Sequence, residues 1–476
     1  MIAVNKEGKM KGKFVKKLLT MVLAGSMLVS MTACGGSSGG EAAAPAAESA
    51  EASQGNDEAA EAPAEEEAAV PAEVPEGSLE LEYNLSTDDY AIFQQIIEDF
   101  TNETGINVTI VNLGGDYESG MKTKMASNDL PDIWVTHGWS LIRYSEYMMN
   151  LADQPWTSKI DAGLKDVITN DNGELFILPI TQAVAGIMYN KDVLEAAGVD
   201  PSGIRTWDDF DAACEKISTN GVTPIEMVLG DAYDSYMLEV IWPTLYTNDG
   251  VADKDANIAA LQGGSFDWTE HTEAFEMMTR WMENGWINDD YASGKRDEVL
   301  NALANGTGAF TMFSTENIPS IRMQNADANI GVLPVPSVSA DAPSYFGTGE
   351  GNFSCFGIWK DTEYADECKQ LLEYLAQPEI AAQIVKIDGG IPALTDCEVE
   401  SGTDAAYTAD AFKEAQSLFD GDLCYDNFFD REYLPSGMWS VMTDAVDTLY
   451  AEGDPASYIE EAAGIVADNY NDLMGN

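Results

Sequence analysis

Basic side chains are scarce in this chain. Twenty-four Lys and Arg stand against 82 Asp and Glu, a formal charge of −58 at pH 7. So acidic a protein repels phosphate backbones and anionic headgroups, which excludes nucleic acid as a partner. The candidate ligand segments below are also poor in Lys and Arg, which argues against phosphorylated or strongly anionic cargo. Histidine is scarcer still: only His137 and His271 are present, neither in a setting that suggests a Ser–His pair. There is no HExxH, no P-loop and no GxGxxG following a strand. Asp253, Asp255 and Asn257 imitate the start of a calcium loop, but the required glycine is Ile258 and the required glutamate is Gly264. Carboxylate pairs suited to glycosidase chemistry are inevitable among so many acids and carry no information. No catalytic residue, metal or cofactor is assigned.

Long apolar runs are missing as well. The apolar stretch Leu18–Met31 falls short of the roughly 20 residues a membrane-spanning helix needs. Preceded by six lysines between Lys6 and Lys17, it reads as a secretory signal. It ends Ser30-Met31-Thr32-Ala33-Cys34, which resembles a lipoprotein box with Met31 in place of the usual leucine. Residues 1–33 are therefore expected as the signal, with Cys34 carrying lipid at the outer face of a Gram-positive cell membrane. An ordinary signal with a chance cysteine is the alternative. Gly35–Gly77 is mostly Gly, Ser, Ala, Pro and Glu, with eleven acids and no Lys or Arg. It cannot bury enough apolar surface to offset its ordering entropy, so residues 34–77 are expected as a disordered tether. Gly35-Gly36-Ser37-Ser38-Gly39 matches a nucleophile-elbow pattern, but without the strand and helix that give the pattern meaning. The other cysteines, Cys214, Cys355, Cys368, Cys397 and Cys424, are odd in number and scattered. Most are expected as small buried hydrophobes, with room for one disulfide.

About 400 residues follow from Ser78, more than one core usually organises, so two lobes are expected. Leu79–Leu85 alternates as a strand, and a helix to about Thr104 places Phe93, Ile96, Ile97 and Phe100 on one face. Ile106–Val111 is a second strand, Tyr117–Ser127 a helix, and Ile133–Thr136 a third strand. This alternation predicts an α/β fold built on parallel sheet, with ligands at the carboxyl ends of strands. Those ends are Ser86–Asp88 and His137-Gly138-Trp139.

The stretch Gly173–Ser218 organises the rest. Leu175–Leu178 is a short strand stopped by Pro179, and Ala183–Tyr189 is a second extended run. A helix over Lys191–Ala197 ends at Gly198. Thr206 caps the next helix, from Trp207 to about Ser218, with Asp208 and Asp209 in its first turn and Phe210, Cys214 and Ile217 as its apolar stripe. Its wording is more telling than its physics. Leu-Pro, an apolar run, Tyr-Asn-Lys-Asp, Ala-Gly-Val-Asp-Pro and Thr-Trp-Asp-Asp-Phe together resemble the central segment of family 1 extracellular solute-binding proteins. These are the carbohydrate-capturing subunits of ABC importers, maltose-binding protein among them. The Ser127-Asn128-Asp129-Leu130-Pro131-Asp132 turn, Gly306–Ile318, Ile330–Pro336 and Gly389-Gly390-Ile391-Pro392 extend the resemblance over about 78–476.

The resemblance implies a two-lobed fold with a hinge and an interlobe cleft. Residues 78–182 plus 345–394 would form lobe 1, and 183–344 plus 395–476 lobe 2. Ile180–Tyr189 would cross between them. It further implies a non-enzymatic monomer that closes on a carbohydrate and delivers it to membrane permease subunits. Two rivals stay open: the same fold with a non-sugar cargo, and a surface lipoprotein enzyme acting on glycans.

Sugar sites need aromatic faces against pyranose C–H groups, and carboxylates or amides for the hydroxyls. The candidate rings are Trp139, Tyr233, Tyr236, Trp242 and Trp439, each with core packing as its alternative; by resemblance Trp439 faces the cleft. Trp207, Trp281 and Trp359 are read as packing residues. The candidate polar groups are Asp88, Gln182, Asp231, Glu316 and Asn352, with His137 either a ligand contact or a structural residue. Glu316 occupies the position of a stacking tryptophan in the family, so it is either a diol-binding carboxylate or a solvated surface acid.

Overall fold

The structure is a computed structural model that describes residues 74–475, except 86, 114–116, 137–140, 231–232, 352–353, 420–421 and 452. At 87, 88, 118, 119, 142, 350 and 388 it describes the backbone alone. In chain order the strands are β1 (Leu79–Tyr83), β2 (Val108–Asn112), β3 (Ile133–Val135), β4 (Ile177–Pro179), β5 (Thr181–Asn190) and β6 (Thr223–Ile225). They continue with β7 (Gly308–Ser314), β8 (Ile330–Leu333), β9 (Ser344–Glu350), β10 (Cys355–Ile358), β11 (Ile391–Pro392) and β12 (Leu423–Asp426).

The strands form two sheets, each with its own apolar core. In the first, the order is β2-β1-β3-β10-β4. β1 pairs in parallel with β2 and β3, as the strand–helix alternation requires, while β10 returns antiparallel between β3 and β4. The helix Thr87–Thr104 lays Phe93, Ile96, Ile97 and Phe100 on this sheet, all buried. Phe93 stacks on Tyr83 with ring centroids 4.7 Å apart, and Phe356 of β10 stacks on Tyr83 at 5.5 Å.

β5 is the spine of the second sheet. It pairs antiparallel with β7, β8, β9 and β11 along its length, and all ten of its residues are buried. A strand covered on both faces reads as a continuous apolar run, which is the pattern of Ala183–Tyr189. The helix Trp207–Thr219 begins in a capping box: Thr206 Oγ1 accepts from the Asp209 amide at 3.2 Å, and the Asp209 carboxylate accepts from the Thr206 amide at 2.9 Å. Its stripe of Phe210, Cys214 and Ile217 is fully buried. The molecule is therefore a two-lobed α/β protein.

The crossing between the sheets is compact. Pro179 ends β4 by pairing with Cys355, and Thr181 opens β5, so the chain changes sheet at Ile180 rather than through Tyr189. The Ile180 amide donates to the Ser354 carbonyl at 2.8 Å, and its own carbonyl accepts from Ala393 at 2.9 Å. Three segments, at Ile180, at Gly351 and Ser354, and at 392–393, thus lie side by side. Gly351 has no room for a side chain, because a Cβ there would meet Thr181 Oγ1 at 2.1 Å. β9 hydrogen-bonds to β5, so residues 345–350 belong to the second sheet and not the first, where the sequence limits had placed them.

The five described cysteines are free thiols; Cys214, Cys355 and Cys368 are buried, while Cys397 and Cys424 are half-buried. Among the described residues, no helix is long and apolar enough to cross a membrane.

Candidate ligand-binding site

Two helix starts and one strand end converge in the second lobe. Phe313 sits at the carboxyl end of β7, Tyr236 in the first turn of the helix Tyr233–Tyr246, and Trp439 in the first turn of the helix Met438–Tyr450. The Tyr236 ring lies 4.2 Å from Phe313, centroid to centroid, and meets Trp439 edge to face at 5.2 Å. Gly437 makes this presentation possible: its φ of +107° turns the chain sharply before Trp439, a conformation that favours glycine.

A buried polar knot fixes the two helix starts to one another. Asp234 is fully buried and accepts from the Gly230 amide at 3.0 Å and the Ser235 amide at 2.6 Å. Ser235 Oγ pairs with Thr443 Oγ1 and reaches the Trp439 carbonyl at 3.3 Å. Burial pushes the Asp234 carboxyl up to about 6, against the lowering effect of these amides.

Charged groups ring the aromatic wall. Glu316 is half-buried, with Ser314 Oγ at 3.4 Å from its carboxylate. The Arg296 guanidinium lies over the Phe313 ring at 5.1 Å and donates to Asn317 Oδ1 at 2.5 Å. Tyr236 is half-buried, and its hydroxyl lies among Glu316, Arg431, Glu239 and Asp430; burial first, then Glu316, push that phenol above its ordinary range. Glu239, one turn along the same helix, is buried and accepts from the amides of Phe429 and Asp430, so it caps the short helix Phe429–Glu432 from outside. Arg143 of the first lobe donates to the Asp430 carbonyl at 3.2 Å, which places this wall at the boundary between lobes. Arg143, Arg296 and Arg431 are half of the chain's six arginines, and in this structure each has protein partners: the Asp430 carbonyl, Phe313 with Asn317, and the Phe428 ring.

The structure places Tyr236 beside both Glu316 and Trp439. Tyr233 lies behind them, buried, with its ring 4.5 Å from Phe313. Trp242 is a correction: it is fully buried two turns into the helix, packed on Trp268 at 4.5 Å and Phe429 at 5.7 Å, and is a core residue. Gln182 is also buried, and its amide donates to the Pro392 carbonyl at 3.2 Å, which makes it a hinge residue. The Asp88 side chain, His137, Trp139, Asp231, Asn352 and Cys34 lie outside the described residues. Sequence reasoning missed Phe313, which looks like any apolar strand residue, and also Glu239, Asp430 and the three arginines. Arginine scarcity in so acidic a chain was the signal that could have marked the last. The recess of about 510 Å³ lined by Glu226, Asn288, Asp290 and Glu298 lies toward the opposite end of β7 and shares none of these residues.

Known proteins resemble the chain along most of its length. The melibiose/raffinose/stachyose-binding protein MelE of Bacillus subtilis is 29% identical over 389 residues, covering 80% of this chain and 87% of MelE. The solved structure of the Bacillus subtilis binding protein MsmE, in an open conformation, superposes with a TM-score of 0.73 at 26% identity, covering 84% of this chain and 98% of MsmE. A sugar transporter of Bacillus licheniformis in complex with stachyose gives a TM-score of 0.65 at 29% identity, covering 83% of this chain and all of that one. The family model for bacterial extracellular solute-binding proteins matches residues 83–382, and the chain belongs to that family.

Proposed function

We propose that the protein captures a neutral oligosaccharide of the melibiose, raffinose and stachyose kind between its lobes and hands it to the permease of an ABC importer. The observation that carries this reading is the wall of Phe313, Tyr236 and Trp439 with Glu316 beside it, at the interlobe boundary. The half-buried Tyr236 and Trp439, backed by the buried Phe313, give a pyranose apolar faces to stack on, and a carboxylate can accept from two neighbouring hydroxyls. The similarity to MelE and to the stachyose-bound transporter narrows the sugar class. As a solute-binding protein the chain binds its cargo and releases it chemically unchanged; it is not an enzyme.

In this reading the ligand first meets the second-lobe wall. Rotation about the three crossing segments then brings the first lobe over it, and contacts made only in the closed form shift the population. Asp88, His137, Trp139, Asp231 and Asn352 are proposed as further contacts from both lobes. Lipid on Cys34 would retain the monomeric protein at the outer membrane face, with residues 34–77 as tether. A thermal-shift panel of melibiose, raffinose, stachyose and the maltose series tests the sugar class. A ligand at ~100 times its Kd adds about 2.7 kcal/mol to stability. Shifts with the first three sugars are expected; a shift with the maltose series alone contradicts the assigned class.

A further inference from the structure

The first sheet ends on β2, and among the described residues no strand pairs with its outer edge. The Leu79 amide donates to the Asn107 carbonyl at 2.9 Å, and the Leu113 amide to the Tyr83 carbonyl at 3.3 Å, so the odd-numbered residues here face β1. Bonding direction alternates along a strand, and Val108 and Ile110 therefore turn their amides and carbonyls outward. Beside that edge runs a recess of about 740 Å³, lined by Val108 and Ile110, by Tyr90, Gln94 and Ile97 of the helix Thr87–Thr104, and by Pro75. The described residues begin at Val74, so the chain enters at this recess. Between Gly35 and Gly77 the only apolar side chains larger than alanine and proline are Val70 and Val74. They stand in Val70-Pro71-Ala72-Glu73-Val74-Pro75, which alternates with the period of a strand. We propose that Val70–Val74 docks on the outer edge of β2 as an added antiparallel strand, with Val74 opposite Val108, Ala72 opposite Ile110 and Val70 opposite Asn112.

Three separate demands meet in this register. The first is hydrogen bonding: Val70, Ala72 and Val74 turn their amides to β2, while Pro71 and Pro75, which have none, fall on the outward side where a sheet edge tolerates proline. The second is burial. Val108 and Ile110 pair with Leu79 and Leu81, on the same face of the sheet as Tyr83, which stacks on Phe93 of the helix Thr87–Thr104. Val74, Ala72 and Val70 therefore lie on that helix-covered face, along the recess with Tyr90 and Ile97. The third is reach. Pro75 falls opposite Asn107, and both line the recess. From there the chain crosses two strand spacings, about 10 Å, to Leu79 of β1. Four residue steps span up to ~13 Å, and the turn closed by the Ser78 amide on the Pro75 carbonyl at 3.1 Å fits within them. A parallel strand would carry Val74 to the far end of β2, away from the place Pro75 occupies. So short a strand is marginal by itself, but attachment through Pro75 raises its effective concentration to the millimolar range. The consequence is positional. The free tether leaves lobe 1 beside Asn112, at the carboxyl end of β2 where sheets of this kind hold ligands, instead of at the opposite end beside Leu79. None of this depends on what the cargo is.

Hydrogen exchange on the whole mature chain, without ligand, tests the docked strand through the alternation itself. In the parent the Val108 and Ile110 amides should exchange slowly. Ala72→Pro removes an amide aimed at β2 and should speed exchange at both positions. Glu73→Pro, one residue further on, alters only the outward side and should keep the parental rates. Val74→Asp, which sets a charge on the helix-covered face, should speed exchange as Ala72→Pro does. Equal exchange in Ala72→Pro and Glu73→Pro overturns the proposal, and so does fast exchange at Val108 and Ile110 in the parent. Protection that grows with protein concentration, together with a doubled scattering mass, would give the edge to a second copy of the chain and overturn it as well.

Discussion

Tyr236 and Trp439 stand edge to face, 84° between ring planes, although more than two hundred residues separate them in the chain. The Ser235 hydroxyl donates to the Trp439 carbonyl, so protein bonds hold that geometry. A platform built in advance spares the ligand the entropic cost of assembling it.

Removing the half-buried Trp439 ring should therefore cost affinity more than stability. Trp439→Ala is expected to weaken sugar binding by about 1–3 kcal/mol, within the range of binding hot spots. Its unliganded melting should fall by much less than the ~3–5 kcal/mol of a Trp→Ala core cavity, which is the loss expected instead for Trp242→Ala. Trp439→Phe should lose less than Trp439→Ala. Calorimetric affinities and melting curves on the same variants check this.

Gly351→Ala should disturb the hinge. The added methyl meets Thr181 Oγ1 at 2.1 Å and the Thr181 carbonyl carbon at 3.1 Å, and Thr181 is fully buried. Overpacking of this kind costs about 1–3 kcal/mol. Adding Thr181→Ala removes the closer clash and should recover part of the lost melting temperature. No recovery in the double variant would show that the strain lies elsewhere.

Glu226 gives a pH signature separate from the site. Burial, with Asp290 nearby, pushes its carboxyl up to about 7, from an ordinary value of 4.5. The folded chain therefore binds this proton more tightly than the unfolded chain. Its contribution is fully present below about pH 4.5 and is lost as pH rises through about 7. Glu226→Gln, which stays neutral, should raise stability above neutrality by about 1–3 kcal/mol and change little in acid. Urea midpoints of parent and variant across pH read this directly.

Cys34→Ser should release the protein from the cell surface into the medium if Cys34 carries the lipid. Fractionation of cells expressing parent and variant measures it, and equal membrane retention would remove the anchor.

Much of the fold was legible because it is encoded locally. Thr206 and Asp209 announce their capping box within four residues, and the apolar run after Ala183 announces a strand covered on both faces. The limit near 345 was misplaced because the partner of β9 is β5, more than 150 residues earlier, and register across such a distance leaves no local mark. The site was half legible for a similar reason. Trp439 follows a glycine turn and Trp242 sits within an apolar helix, but both are tryptophans on helices, and only tertiary packing buries one and half-exposes the other. Arg143 and Asp430 are 287 residues apart, so their meeting at the lobe boundary had no signature at all.

The most direct test of the central claim is a calorimetric titration of the folded, mature protein with stachyose, paired with scattering before and after saturation. The account predicts saturable binding at one site per chain, a smaller radius of gyration in the bound state, and weaker binding by Trp439→Ala. A folded protein that binds neither stachyose nor any other neutral sugar of the panel would contradict it.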